Sequence, residues 1–339
     1  MIAASPLLLK RLIIGLAVFL GVKGEVNTKL SNKSVYIAQI KKVTSIFERA
    51  SLVKLNNSMF GLFCFVSIIA LCIVLFSIIF FVGKTGFLTF NDITLHDFFF
   101  SLEWYPMEEL YGAGVFIIGT LLLTAMTLAI ATPLALIIAV FIAEIAPVWI
   151  KNIMRPLLDL LAGIPSIIYG YLGVTILIPL LRKIADVQMG DGIFAAALVL
   201  TLMILPIVTR LVDDCIVNFP KEYREAAYAL GSTRFQVISK VIIPSIRQGI
   251  ITAVILGMAR AIGETMAVVM VIGNVAQLPL DFFTSTAVLT SNIVMQITAV
   301  QSGTTWHNAL YMMAFLLLGI SLLLIFCVRL LRSKGEYRA

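Results

Sequence analysis

From Phe60 to Val82 the chain reads FGLFCFVSIIALCIVLFSIIFFV without a single charge. A stretch of that length crosses the roughly 30 Å hydrocarbon core of a bilayer as a helix of about 20 residues. Only a helix satisfies every backbone N–H and C=O within one lipid-bathed segment of this kind. Five more apolar segments follow, and we place six spans at residues 59–82, 115–143, 157–181, 193–212, 248–273 and 308–328. With 60% hydrophobic and only 13% charged residues over its 339 positions, the chain is an all-α polytopic membrane protein and not a soluble enzyme.

Loops that stay in the cytoplasm are enriched in Lys and Arg. With an even number of spans and an inner N terminus, all 25 basic residues fall on the inner side except Lys84, Arg182 and Lys183 outside and Arg260 in the membrane. The net charge of +7 is therefore a topogenic signal rather than a nucleic-acid footprint. The outer loops carry Asp92, Asp97, Glu103, Glu108, Glu109, Asp186, Asp191 and Asp281. Cys64, Cys72, Cys215 and Cys327 lack metal or redox spacing, and His96 and His307 are isolated, so no metal centre is expected.

The organisation that follows is a basic cytoplasmic segment at 1–58, a first span at 59–82, an extracytoplasmic loop at 83–114, a core at 115–330 and a cytoplasmic tail at 331–339. The apolar run Leu12–Val22 is read as an interfacial or folded-back segment, because crossing there would place the following lysines outside. The second span holds Pro133 yet must be one kinked helix, since splitting it would turn the most basic later loop outward. In LLAGIPSIIYGYLG, the cluster Gly163, Pro165, Gly170 and Gly173 fits either small-residue helix packing or a locally opened helix where Ser166 faces a pathway.

The inner loop 213–247 reads DDCIVNFPKEYREAAYALGSTRFQVISKVIIPSIR. Pro220 suits a first helical turn, Glu222 the positive end of the helix dipole and Gly231 a C-terminal stop, which predicts a short helix over 220–230 and a second over 233–241. Glu225, Ala226, Ala227, then Gly231, Val241, Ile243 and Pro244 resemble the EAA loop of ABC importer permeases. That resemblance implies a type I importer permease fold, with Glu225, Ala226, Ala227 and Gly231 on a coupling helix that docks on an ATPase dimer. The chain has no GxxxxGK[ST] phosphate loop, so ATP and Mg would be bound by the partner and no cofactor is expected here.

The fifth span reads GMARAIGETMAVVMVIG, and Arg260 at its middle costs about 2.5–3.5 kcal/mol to insert. Glu264, four residues later, is expected on the same helical face. Arg before Glu is the weaker order for such a pair, so a purely stabilising role explains it poorly, whereas a guanidinium in a wet site suits a phosphate or carboxylate. The stretches ARAIGETMAVVMVIGN, WYPMEELYG, IIGTLLLT and LLAGIPSIIYG resemble phosphate ABC importer permeases of the PstC type over about residues 100–330. The first 58 residues depart from that family in length and content. The resemblance implies an inner-membrane subunit in which Arg260 and Glu264 matter for the passage of inorganic phosphate, together with a sister permease and an extracytoplasmic phosphate-binding protein. Thr265 and Ser166 are added as pathway candidates from their places in the sequence. Sulfate or molybdate import and an ATP-independent anion channel are the alternatives.

Overall fold

The computed structural model describes the backbone of residues 33–333 and the side chains of residues 60–330. The run Leu12–Val22 lies outside the described residues. The chain divides into two compact units, residues 1–76 and 77–339. The described part of the first belongs to one helix, α1 (Lys33–Phe87), whose apolar side chains are exposed, Phe63 at 70% and Phe76 at 70%. Full exposure of apolar residues is what lipid-facing positions require. Helix continues well upstream of the expected span boundary at residue 59 because the stretch from Lys33 to Met59 contains neither Gly nor Pro.

The second unit is built from α2 (Gly114–Val140), α3 (Val148–Ala162), α4 (Ser166–Leu172), α5 (Ile178–Ala185), α6 (Ile193–Val217), α7 (Lys221–Ala229), α8 (Arg247–Gly263), α9 (Met266–Val271), α10 (Leu289–Gln296) and α11 (Thr305–Ser333). Among the described residues, five helical segments are long and apolar enough to cross a membrane. The pair Arg234–Ser245 and Arg247–Gly263, bent by 67°, supplies a sixth when taken as one span. A small antiparallel hairpin, Trp104–Tyr105 with Leu110–Tyr111, closes the loop before α2.

Helix α6 is the most enclosed span. Helix α2 lies against it through Ala131, Ala135 and Ala139, all fully buried, while α6 buries Ala195, Ala196 and Ala197. Small residues let two backbones approach where lipid offers no hydrophobic drive between helices. Thr120, Thr124 and Thr127 of α2 are buried, and each donates its hydroxyl to the carbonyl four residues back at 2.7–2.8 Å, so no polar atom is stranded. Pro133 is accommodated inside α2 as one helix, which ends in a π turn, Phe141–Ile145, closed by Ala146 N–H to the Phe141 carbonyl at 2.8 Å.

Two expected spans begin or end elsewhere. The third starts at Ser166 and runs to Ala185, because Gly163 and Pro165 stop α3, an amphipathic helix of its own on the Lys- and Arg-rich face. The expected fifth span at 248–273 is interrupted: α8 ends at Gly263, and the chain resumes as α9 at Met266.

Close approach of α1 to α11 depends on Gly86, where an added Cβ would lie 2.8 Å from the backbone of Met312. Gly86→Ala is expected to force the helices apart and cost about 1–3 kcal/mol, seen as a lowered thermal unfolding midpoint in detergent.

Candidate translocation site and coupling surface

The interruption after Gly263 defines the site. Arg260 stands in the last turn of α8, and its side chain is exposed without an ion pair or hydrogen bond among the described residues. A cation there complements the partial negative charge of the helix C terminus. The expected Arg260 and Glu264 pair on one helical face does not form, because Glu264 has left the helix with extended dihedrals (φ −73, ψ 127). Its carboxylate instead accepts the Ala267 N–H at 3.4 Å, capping α9 in the manner of an N-cap residue. Thr265 donates its hydroxyl to the Gly263 carbonyl at 3.3 Å across the same break.

A second interruption adjoins the first. At Gly163–Pro165 the chain turns from α3 into α4, and Tyr169 bridges the turn by donating its hydroxyl to the Leu161 carbonyl at 2.8 Å. Helix α4 lies directly on α9, with Gly170 so close that a Cβ there would sit 3.0 Å from Ala267 Cα. The structure therefore brings Arg260, Glu264 and Thr265 to one break and sets half-buried Ser166 on the helix beside it. Of the two readings left open for the Gly- and Pro-rich stretch, small-residue packing is seen at Gly170, while the break at Gly163–Pro165 separates α3 from the span that starts at Ser166.

Sequence reasoning missed the group that holds this break from behind. Thr290 on α10 donates its hydroxyl to the Glu264 carbonyl at 3.3 Å, and the adjacent Leu289 N–H donates to Thr120 Oγ1 of α2 at 3.1 Å. Gln296 at the end of α10 accepts from the indole N–H of both Trp104 (3.3 Å) and Trp306 (2.8 Å), anchoring α10 to the hairpin and to α11. Nothing in the polar stretch LTSNIVMQ marks it as a support, because its partners come from distant segments.

On the Lys- and Arg-rich face, α7 follows Pro220 and ends as the spacing predicts. Gly231 takes φ +79, its N–H bonding the Tyr228 carbonyl at 2.9 Å while Ser232 N–H bonds that of Ala227 at 3.2 Å, the paired bonds of a Schellman stop. Thr233 and Gln236 then form a capping box that starts the next turn. Glu225, Ala226 and Gly231 are exposed, but Ala227 is buried among Ala135, Ala139, Val212 and Ile238, facing the helix bundle. Tyr223, Tyr228, Leu230 and Phe235 add exposed apolar surface, Leu230 at 87% and Phe235 at 77%. Replacing Gly231 by alanine meets no atom within 4 Å but strains the left-handed backbone. The expected cost is about 1 kcal/mol, with Gly231→Asn costing less, read as faster protease cleavage between residues 229 and 233.

Behind this surface, buried Asp213 of α6 accepts from Arg155 Nε (2.8 Å) and Nη2 (3.1 Å) and from Arg210 Nη1 (3.3 Å). Hydrogen bonding to Asp213 raises the Arg155 guanidinium above its ordinary pKa, so that end of α3 stays clamped and charged. Arg224 of α7 reaches Glu144 in the π turn after α2 at 3.1 Å.

The spans thus form a helix bundle with a short helix, α7, on the Lys- and Arg-rich face and an exposed cation at a broken span. Residues 131–334 match the family described as binding-protein-dependent transport system inner membrane component, and the chain belongs to it. It is 39% identical to the probable ABC transporter permease protein YqgH of Bacillus subtilis over 76% of this chain and 84% of that one. It is also 34% identical to the phosphate transport system permease protein PstC of Haemophilus influenzae, over 70% and 81%, and 32% identical to PstC of Mesorhizobium japonicum, over 71% and 79%. The chain is thus a membrane permease subunit and not itself a catalyst.

Proposed function

We propose that this permease passes inorganic phosphate inward across the plasma membrane, with the Lys- and Arg-rich face and both termini in the cytoplasm. The observation that carries the cargo is Arg260, an exposed guanidinium without a partner among the described residues, at the interruption of the fifth span. A guanidinium left free in a membrane is costly unless it meets water or an anion, and its planar fork matches tetrahedral oxyanions. The names of the PstC relatives support phosphate among them.

In this reading an external binding protein delivers phosphate between this subunit and a sister permease. Arg260 draws the anion in, Thr265 and Ser166 line its way, and Glu264 keeps the break open by capping α9. Partner ATPases bind ATP and Mg, dock on Glu225, Ala226 and the exposed aromatic residues of α7, and drive the spans between outward- and inward-open states. Uptake of radiolabelled phosphate by cells making the whole complex tests this. Unlabelled phosphate is expected to compete and sulfate to compete poorly. Strong competition by sulfate would make the cargo another oxyanion, and uptake without the ATPase would make the chain a channel.

A further inference from the structure

We propose that the Arg224–Glu144 ion pair is the joint through which the coupling helix α7 moves the spanning helix α2, with Glu144 as a positioning residue of the transport cycle. The inference rests on the ATP-driven importer reading. Arg224 Nη1 lies 3.1 Å from Glu144 Oε1, with side chains only 22% and 11% exposed. Its other terminal nitrogen donates to the Ile216 carbonyl of α6, and the guanidinium carbon sits 5.7 Å over the Phe219 ring. Arg224 is thereby fixed to the segment that carries α7, and Glu144 is what it offers to a different helix.

Glu144 belongs to the π turn Phe141–Ile145, a place where the regular helical ladder is interrupted and can rearrange at modest cost. Lys151 Nζ donates to the neighbouring Ala143 carbonyl at 2.6 Å, so two cations converge on the negative end of α2. The Arg224–Glu144 contact is one of charge: neither Glu144 Oε1 nor Arg224 Nε makes a directed hydrogen bond. A charge contact without directional bonds tolerates rotation, and in a poorly hydrated site its attraction is stronger and persists as the groups shift.

What α2 touches elsewhere gives the joint its use. Thr120 of α2 accepts the Leu289 N–H, and the next residue, Thr290, holds the Glu264 carbonyl at the break beside Arg260. Helix α2 therefore contacts the coupling helix at one end and the support of the anion site toward the other. A static staple would explain the pair equally well in a resting molecule, and the two differ in what its loss does to coupling.

The test uses the whole purified complex in proteoliposomes, comparing native protein with Glu144→Gln and Glu144→Asp for ATP hydrolysed per phosphate taken up. Glu144→Gln is expected to hydrolyse ATP while raising that ratio by about tenfold, within the usual range of coupling energies, with Glu144→Asp between it and the native protein. A native ratio in Glu144→Gln, whatever the absolute rates, overturns the inference. So does a Glu144→Gln complex that fails to assemble beside a Glu144→Asp complex of native ratio. A cargo-independent arm places spin labels at exposed Leu122 and Leu230, with the four native cysteines replaced. Their separation should stay fixed when ATP and Mg are added to native protein and shift in Glu144→Gln; a fixed separation in both overturns the proposal. Absence of phosphate uptake by the native complex would instead refute the phosphate reading and leave the label distances to decide this one.

Discussion

Replacing Arg260 by glutamine is expected to lower phosphate uptake by about 10- to 100-fold, with the complex still assembled in the membrane. Hydrogen bonds to a charged group contribute roughly 1.5–3 kcal/mol, and about 1.4 kcal/mol is tenfold. Assembly survives because Arg260 has no partner among the described residues to strand, and its exposed side chain fills no packed space. Arg260→Lys keeps the charge but loses the fork, so it should fall between the two. Initial uptake rates normalised to the amount of permease in the membrane check this. A glutamine variant with native rates would make Arg260 a helix-terminus charge and nothing more.

The largest loss of stability is expected at Asp213. Asp213→Ala removes a fully buried carboxylate that satisfies two arginines at once. Breaking a buried pair by removing one partner costs about 3–5 kcal/mol. Arg155 at 31% and Arg210 at 35% exposure can recover some hydration, which places the loss toward the lower end. Asp213→Asn keeps one acceptor oxygen and should lose less. The midpoint of thermal unfolding in detergent reads the effect, and an unchanged midpoint for the alanine variant would show that the clamp between α3 and α6 contributes nothing.

Hydropathy and charge made most of the bundle legible, because lipid permits so few alternatives to an apolar helix. The short helix of the inner loop was equally readable: Pro220, Glu222 and Gly231 are local signals, and the observed α7 with its Schellman stop lies within the expected limits. The interruption at Gly263–Thr265 was not legible. It carries no proline, and the following MAVVMV continues the apolar run, so periodicity extended the helix through it and wrongly put Glu264 on the face of Arg260. What holds the break is partly local, the Glu264 carboxylate capping α9 three residues on, and partly tertiary, the Thr290 hydroxyl from α10. The same limit hid Ala227. A good helix-forming alanine gives no hint of which way it faces, and only the buried cluster around Ala135 and Ile238 turns it inward. Arg224 with Glu144 and Arg155 with Asp213 were invisible for a related reason, since each pair joins segments far apart in the chain.

In the phosphate-import reading, the exposed face of Arg260 meets water and anion rather than lipid. Cysteine placed at position 260 in an otherwise cysteine-free chain, probed in the whole complex with a membrane-impermeant charged thiol reagent, tests it most directly. Modification from the aqueous phase is expected. A thiol that reacts only with a lipid-soluble reagent would place position 260 against the bilayer and contradict this reading.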